Sequence, residues 1–202
     1  QVHFHKYSGL WVYREGQLIV NGEKGNEVVF QGDRLELDYR ETPGQWDRIW
    51  LLDGGANSSI NYAIIKNGFF GLQTETWPLD ATADTTNTNL ILKNTIIQNM
   101  AGIGLFARNY NIIGENVLIS NCGSYNVGIS GGGSFEFTHC TFANYWNYEE
   151  RKTPAVFISN FYEDIFGDKH TNNIGKANFT NCIIHGNNDN ELSIEKNGIG
   201  TL

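Results

Sequence analysis

A small polar side chain returns at a nearly constant interval through the second half of this chain, and that interval limits the fold more than any other feature. Aligned on it, five segments read LILKNTIIQN, GENVLISN, FEFTHCTFAN, VFISNFYED and ANFTNCIIHG, with Asn94, Asn116, His139, Asn160 and Asn181 at equivalent positions. The successive steps are 22, 23, 21 and 21 residues. Helical-pair repeats run to about 33 residues or more, and leucine-rich repeats, although similar in period, need a dense leucine consensus that is missing here. Short apolar runs separated by Gly and Asn turns fit a coil of three short strands stacked on the coil before it, each side chain lying over its counterpart one coil away. The expected fold is therefore all-β, a single-stranded right-handed parallel β-helix of about seven coils with a period near 22 residues, filling residues 1–202 as one domain.

On that register Ile96, Leu118 and Ile183 form an inward apolar stack. Asn94, Asn116, Asn160 and Asn181, with His139 taking one place, read as a structural ladder of stacked amides. A second set, Asn67, Asn99, Asn121 and Asn144, marks the next bend. Cys140 and Cys182 each follow a ladder residue, so they are expected as small buried thiols and not as a disulfide. Cys122 lies off that register. Three cysteines at these spacings match no zinc site, and neither a metal nor a cofactor is expected.

With 23 Gly and only 3 Pro, and Asn often beside Gly, the composition supplies turn chemistry for tightly wound strands and disfavours long helices. The 14 Lys and Arg against 22 Asp and Glu leave a net charge of −8, the wrong sign for neutralising nucleic-acid phosphates. No apolar run approaches the roughly 20 residues of a transmembrane span, and no secretory leader opens the chain. The sequence begins at Gln1 and its single methionine is Met100, as in a processed protein or a section of a longer one. Four polar stretches interrupt the coil pattern: Leu35 to Gln45, TETWPLDATADTTN, Asn147 to Pro154 and Gly167 to Asn173. Loops leaving a solenoid are where function concentrates.

The strings VVFQGDRLELDY, PGQWDRIWL, NYAIIKNGFFGLQ, GGGSFEFTHCTFANYW and NCIIHGN, in that order and over nearly the whole chain, resemble the right-handed parallel β-helix proteins of Bacteroidetes. Those are generally cell-envelope lipoproteins without an assigned biochemical role, related in fold to the pectate lyases. The resemblance implies an extracytoplasmic location, at the outer-membrane surface or in the periplasm, and a longer parent protein. It implies no activity.

Two functions follow as expectations. The first is a non-catalytic scaffold that recognises glycan or a protein partner. It rests on aromatics in loop-like contexts, Trp46, Trp77 and Trp146, with Asp47, Arg48, Asp80 and Arg151 beside them to bond hydroxyls. The same aromatics could instead cap or fill the solenoid. For Trp50, which alternates with Ile49 and Leu51, filling is the favoured reading, and for Trp77 and Trp146 the two readings are equal. The second function is a polysaccharide lyase or glycosidase, which needs paired carboxyl groups or an acidic calcium site with a base. Neither pattern is evident, and no catalytic residue is assigned. The densest charged region, Asp33, Asp38 and Asp47 with Arg34, Arg40 and Arg48, reads equally well as a solvated rim. His139 reads as a structural histidine, GISGGGSF as a turn, and an open solenoid end would favour end-to-end self-association.

Overall fold

The structure, a computed structural model, describes residues 1–13, 16–52, 57–76 and 89–198. Among these residues the chain is nearly all β: there is no α-helix, and one 3-10 turn spans Leu37–Tyr39. No helix among them is long and apolar enough to cross a membrane. Seven strands pair side by side into one parallel sheet: Val2–Phe4, Val28–Gly32, Ala63–Lys66, Ile96–Met100, Leu118–Cys122, Thr141–Asn144 and Ile183–Gly186. The main path of a second, 11-stranded sheet runs through Leu10–Tyr13, Ile49–Leu52, Leu72–Glu75, Leu105–Glu115, Val127–Thr138, Val156–Ser159 and Leu192–Glu195. The second halves of its two long strands carry a further parallel ladder with Asn89–Lys93 and Ile174–Thr180, continued through Ser58–Asn61 to Ile19–Asn21.

The bend in those long strands is made by glycine. Gly131, Gly132 and Gly133 have φ of 68°, 93° and 113°, backbone that L side chains rarely adopt. Any Cβ at Gly133 would also collide with the carbonyl of Tyr110. The glycine string expected as a turn is thus a corner inside one continuous strand, where the pairing register shifts.

Left-handed residues set the limits of the first sheet. Tyr62, Asn94, Asn116, His139 and Asn181 have φ of 51°, 47°, 54°, 55° and 52°, each just before a strand of that sheet. Asn67, Asn99 and Asn121, with φ of 64°, 60° and 53°, sit at or beyond the far ends of its strands. Asn reaches this conformation at lower cost than most residues, because its short amide bonds locally. Neighbouring amides then pair along the column, Asn94 donating to Asn61 at 2.9 Å, Asn116 to Asn94 at 2.8 Å and Asn99 to Asn67 at 2.8 Å.

Asn160 is not part of that ladder. Thr141 pairs directly with Ile183, so the last interval is 42 residues and not two steps of 21. Residues after Ser159 leave the sheet as an antiparallel hairpin, Phe161–Glu163 with Lys169–Thr171, which together with the segment between Asn144 and Val156 lengthens the interval to nearly two periods. Asn160 is buried at its base, where its amide accepts from the Asn197 N–H at 2.8 Å and donates to the Asn197 carbonyl at 3.1 Å.

In-register pairing stacks like on like inside the fold. Ile65, Ile97, Ile119 and Phe142 form one fully buried row. The row expected inside, Ile96, Leu118 and Ile183, is in register but points outward, because a shift of one residue moves every side chain of a strand to the opposite face. Gly114 is required for packing: a Cβ there would stand 2.5 Å from Cδ1 of Phe137, which fills the space in the next strand. Cys122, Cys140 and Cys182 are free thiols, the first two buried and the third half-buried.

Candidate functional site

The outward face of the second sheet gathers aromatic and charged side chains in register. Along Ile49–Leu52 the residues Ile49 and Leu51 enter the core, which turns Trp50 outward. Trp50 pairs with Trp11 on one side and Gln73 on the other, and the row continues through Phe106, Gly128 and Phe157. Trp11 is 60% exposed, and its ring meets that of Trp50 edge to face at 5.0 Å.

Beside this row runs a polar one in which Glu75 pairs with Arg108 across neighbouring strands. Glu75 is only 5% exposed, and a buried carboxylate is costly without partners. It accepts the indole N–H of Trp50 at 3.1 Å and lies 3.5 Å from Nη1 of Arg108. The Arg108 guanidinium stands over Phe106 at 5.2 Å and over Tyr162 of the hairpin at 4.9 Å. Arg48 donates from Nε to Asp47 at 2.9 Å, bonds the Gln73 side-chain oxygen, and lies over Phe70 at 4.5 Å. These four charged groups are therefore held against a ring or a partner. The exposed rings of the first strand on this face are Trp11 and Tyr13.

No family model, no curated protein and no solved structure matches this chain.

The residues expected to form a site are dispersed. Trp46 is 1% exposed and belongs to the core, stacked on Phe4 at 4.5 Å with its N–H donating to the Lys66 carbonyl at 2.9 Å. It fits there because Gly68 opposite has no side chain: a Cβ would stand 2.9 Å from the indole. Trp146 is also buried, against Tyr148 at 4.9 Å, so it offers no open ring face. Arg151 is buried too, ion-paired with Glu191 and donating to the carbonyls of Thr153 and Asn144, which makes it a clamp between two loops and not a free hydroxyl donor. Asp47 and Arg48 do join the aromatic face. Trp77 and Asp80 lie outside the described residues. Of the ladder, Asn94 and Asn116 bond as amides, while His139 and Asn181 share their left-handed column.

Trp11, Gln73, Glu75, Phe106 and Arg108 were not signalled as site residues by the sequence reading. The available signal was alternation in LWVY and LQTE, which sends Trp11, Gln73 and Glu75 outward once Leu10 and Leu72 are placed inside. The same alternation puts Trp50 outside and overturns its reading as filler. Among the described residues no three His, Cys, Asp or Glu gather as metal ligands.

Proposed function

We propose that the chain is a recognition module that takes glycan on the aromatic outer face of its second sheet. The observation that carries this reading is the Trp11 and Trp50 pair, one ring open to solvent and the other fixed from behind by Glu75. Sugar rings stack their C–H faces on indoles, and the partly exposed Arg48 and Arg108 stand beside the rings to bond hydroxyls. Preorganised side chains lose little freedom on binding, which favours affinity. The scaffold we infer is a right-handed parallel β-helix of about seven coils. Strand columns in constant parallel register support that scaffold. The resemblance to envelope proteins of Bacteroidetes supports an extracytoplasmic setting for it.

Catalysis of glycan cleavage is the competing reading. Hydrolysis asks for two carboxyl groups about 5–9.5 Å apart across the bond. Glu75 is instead held by an indole N–H and a guanidinium, the environment of a fixed acceptor. The test is a glycan array with the intact chain and with Trp11→Ala and Trp50→Ala, assaying bound polysaccharide for new reducing ends or unsaturated products. Binding lost in both variants without product supports recognition. Product formation favours the enzyme, and binding unaffected by either variant removes the aromatic face from consideration.

A further inference from the structure

The outer face of the first sheet carries a second site of different chemistry. The outward row Val29, Ile64, Ile96 and Leu118 makes an aliphatic stripe, and beside it Gln31, Lys66 and Gln98 make a polar one. The segment Leu35 to Gln45 leans over this surface and encloses a groove of about 580 Å³. Three cations, Arg34, Arg40 and Lys66, line it, and no carboxylate does. Each of the three is paired with a carboxylate just outside the lining, Arg34 with Glu36 at 2.9 Å, Arg40 with Glu41 at 3.9 Å and Lys66 with Glu41 at 3.2 Å.

The overhanging segment is fixed in place. Asn67 donates to the Arg40 carbonyl at 2.8 Å, Asn99 bonds the Glu41 carbonyl, and the Tyr148 hydroxyl reaches the same carbonyl at 2.9 Å from 107 residues away. Lys66 Nζ lies 3.2 Å from the Glu41 carboxylate, and the Arg34 guanidinium covers the Tyr39 ring at 3.8 Å. Leu37, on the 3-10 turn, is nonetheless 84% exposed at the groove. Apolar surface held rigid beside a groove gains about 25 cal/mol per Å² when a ligand covers it. The side-chain amides of Gln31 and Gln98 have no hydrogen-bond partner among the described residues. They flank Lys66 on adjacent strands, roughly 4.8 Å apart.

Free amides bond hydroxyls as donor and acceptor, ammonium and guanidinium groups bond anions, and an aliphatic stripe suits the C–H face of a sugar ring. We propose that this groove binds an acidic saccharide, its ring over Val29 and Ile64, its hydroxyls on Gln31 and Gln98 and its anionic group toward Lys66 and Arg40. The anion is a carboxylate or a sulfate, and both present the same chemistry to these residues. The site is separate from the aromatic face and stands or falls without it.

The experiment is calorimetric titration of the intact chain with an oligouronate, a sulfated oligosaccharide and a neutral oligosaccharide of equal length. At least one acidic probe binds more tightly than the neutral one, and that binding weakens with added salt. Arg40→Gln, at a largely exposed side chain, weakens binding roughly threefold. Lys66→Gln weakens it about tenfold or more, with the melting temperature checked because Lys66 also holds Glu41. Lys176→Gln, which removes an exposed cation of the other sheet, leaves it unchanged. Which acidic probe binds identifies the anion. The proposal is overturned if neither acidic probe binds, if the neutral one binds equally, if Arg40→Gln and Lys66→Gln are both silent, or if Lys176→Gln weakens binding as much as Lys66→Gln does.

Discussion

The two sheets are built alike inside and differently outside. Both bury in-register aliphatic rows, Ile65, Ile97 and Ile119 in the first and Ile49, Leu72 and Leu105 in the second. Outside, the first presents aliphatic and amide stripes under an overhang of paired charges, and the second presents indoles, phenyl rings and a buried carboxylate. Because each outward position becomes a column when strands stack in parallel, a few substitutions along one column rewrite a whole face without touching the core. The scaffold fixes spacing, and the outward columns carry the chemistry.

The comparison is broken most forcefully at the boundary between inside and outside. Ile97→Ala, which empties a fully buried site, is expected to cost about 2–5 kcal/mol, while Ile96→Ala on the outer face costs less than about 1 kcal/mol. Urea denaturation of both variants measures the difference. A larger loss for Ile96→Ala would mean that the inner and outer rows are exchanged, and equal losses that both are buried alike.

The aromatic face has structural weight of its own, which the next change isolates. Glu75→Ala strands the Trp50 N–H and leaves Arg108 without its carboxylate, for an expected loss of about 1–3 kcal/mol. Since Arg108 is partly exposed, the lower half of that range is the better expectation. Glu75→Gln retains an acceptor for the indole and falls between wild type and Ala. On the opposite face Glu41 is well exposed, and Glu41→Ala should change stability by no more than about 0.5 kcal/mol. If the two Ala variants melt together, Glu75 is not the buried anchor that its burial implies.

How much of this was legible in the sequence depended on which residues repeat. The Asn columns were readable because left-handed corners demand a particular residue, and the positions from Asn94 to His139 keep their spacing in space. The faces were harder. Ile96 and Ile97 are both apolar, as are Ile183 and Ile184, so a doublet cannot say which member points inward. Asn160 misled because it falls 21 residues after His139 and 21 before Asn181, at the start of an inserted hairpin. Trp46, flanked by polar neighbours, reads as a loop residue, yet Phe4 and Gly68 receive it from distant segments. The Trp50, Glu75 and Arg108 cluster joins three strands, and finding it requires their register across residues 77–88, where the period gives no guide.

Thiol chemistry sharpens the inner boundary. Burial pushes the Cys122 thiol up to about 12 and the Cys140 thiol up to about 11, whereas Cys182, in the strand pair beyond Cys140, is half-buried. The thiolate is the reacting form, so at pH 8 only about one molecule in a thousand or fewer is reactive at the first two. Iodoacetamide followed by peptide mass spectrometry should label Cys182 first. Early labelling of Cys122 would show that its strand end opens in the native state.

The smallest expected effect contrasts two matching carboxylates. Asp33, beside the groove, accepts from His5 at 2.7 Å, and Asp164, at the base of the hairpin tip, accepts from His170 at 2.7 Å. In each the histidine hydrogen bond is the main cause that holds the carboxyl below its ordinary value of 3.8. A carboxyl lowered by folding contributes stability that is present above 3.8 and is lost as the pH falls through the lower folded-state value. The consequences differ because Asp164 Oδ1 also accepts the backbone N–H groups of Phe166 at 2.9 Å and Asp168 at 3.0 Å. Protonating Asp164 loosens the tip of the hairpin that sets Tyr162 under Arg108, whereas protonating Asp33 releases only an exposed histidine. Amide shifts of Phe166 and Asp168 followed by NMR from pH 6 to about pH 2 should therefore move with the Asp164 titration. The amide of Asp33, bonded to the Phe4 carbonyl at 2.9 Å, should hold its hydrogen bond throughout. Equal response at both places would mean that the hairpin owes its form to packing against Arg108 and Gly131 and not to the Asp164 turn.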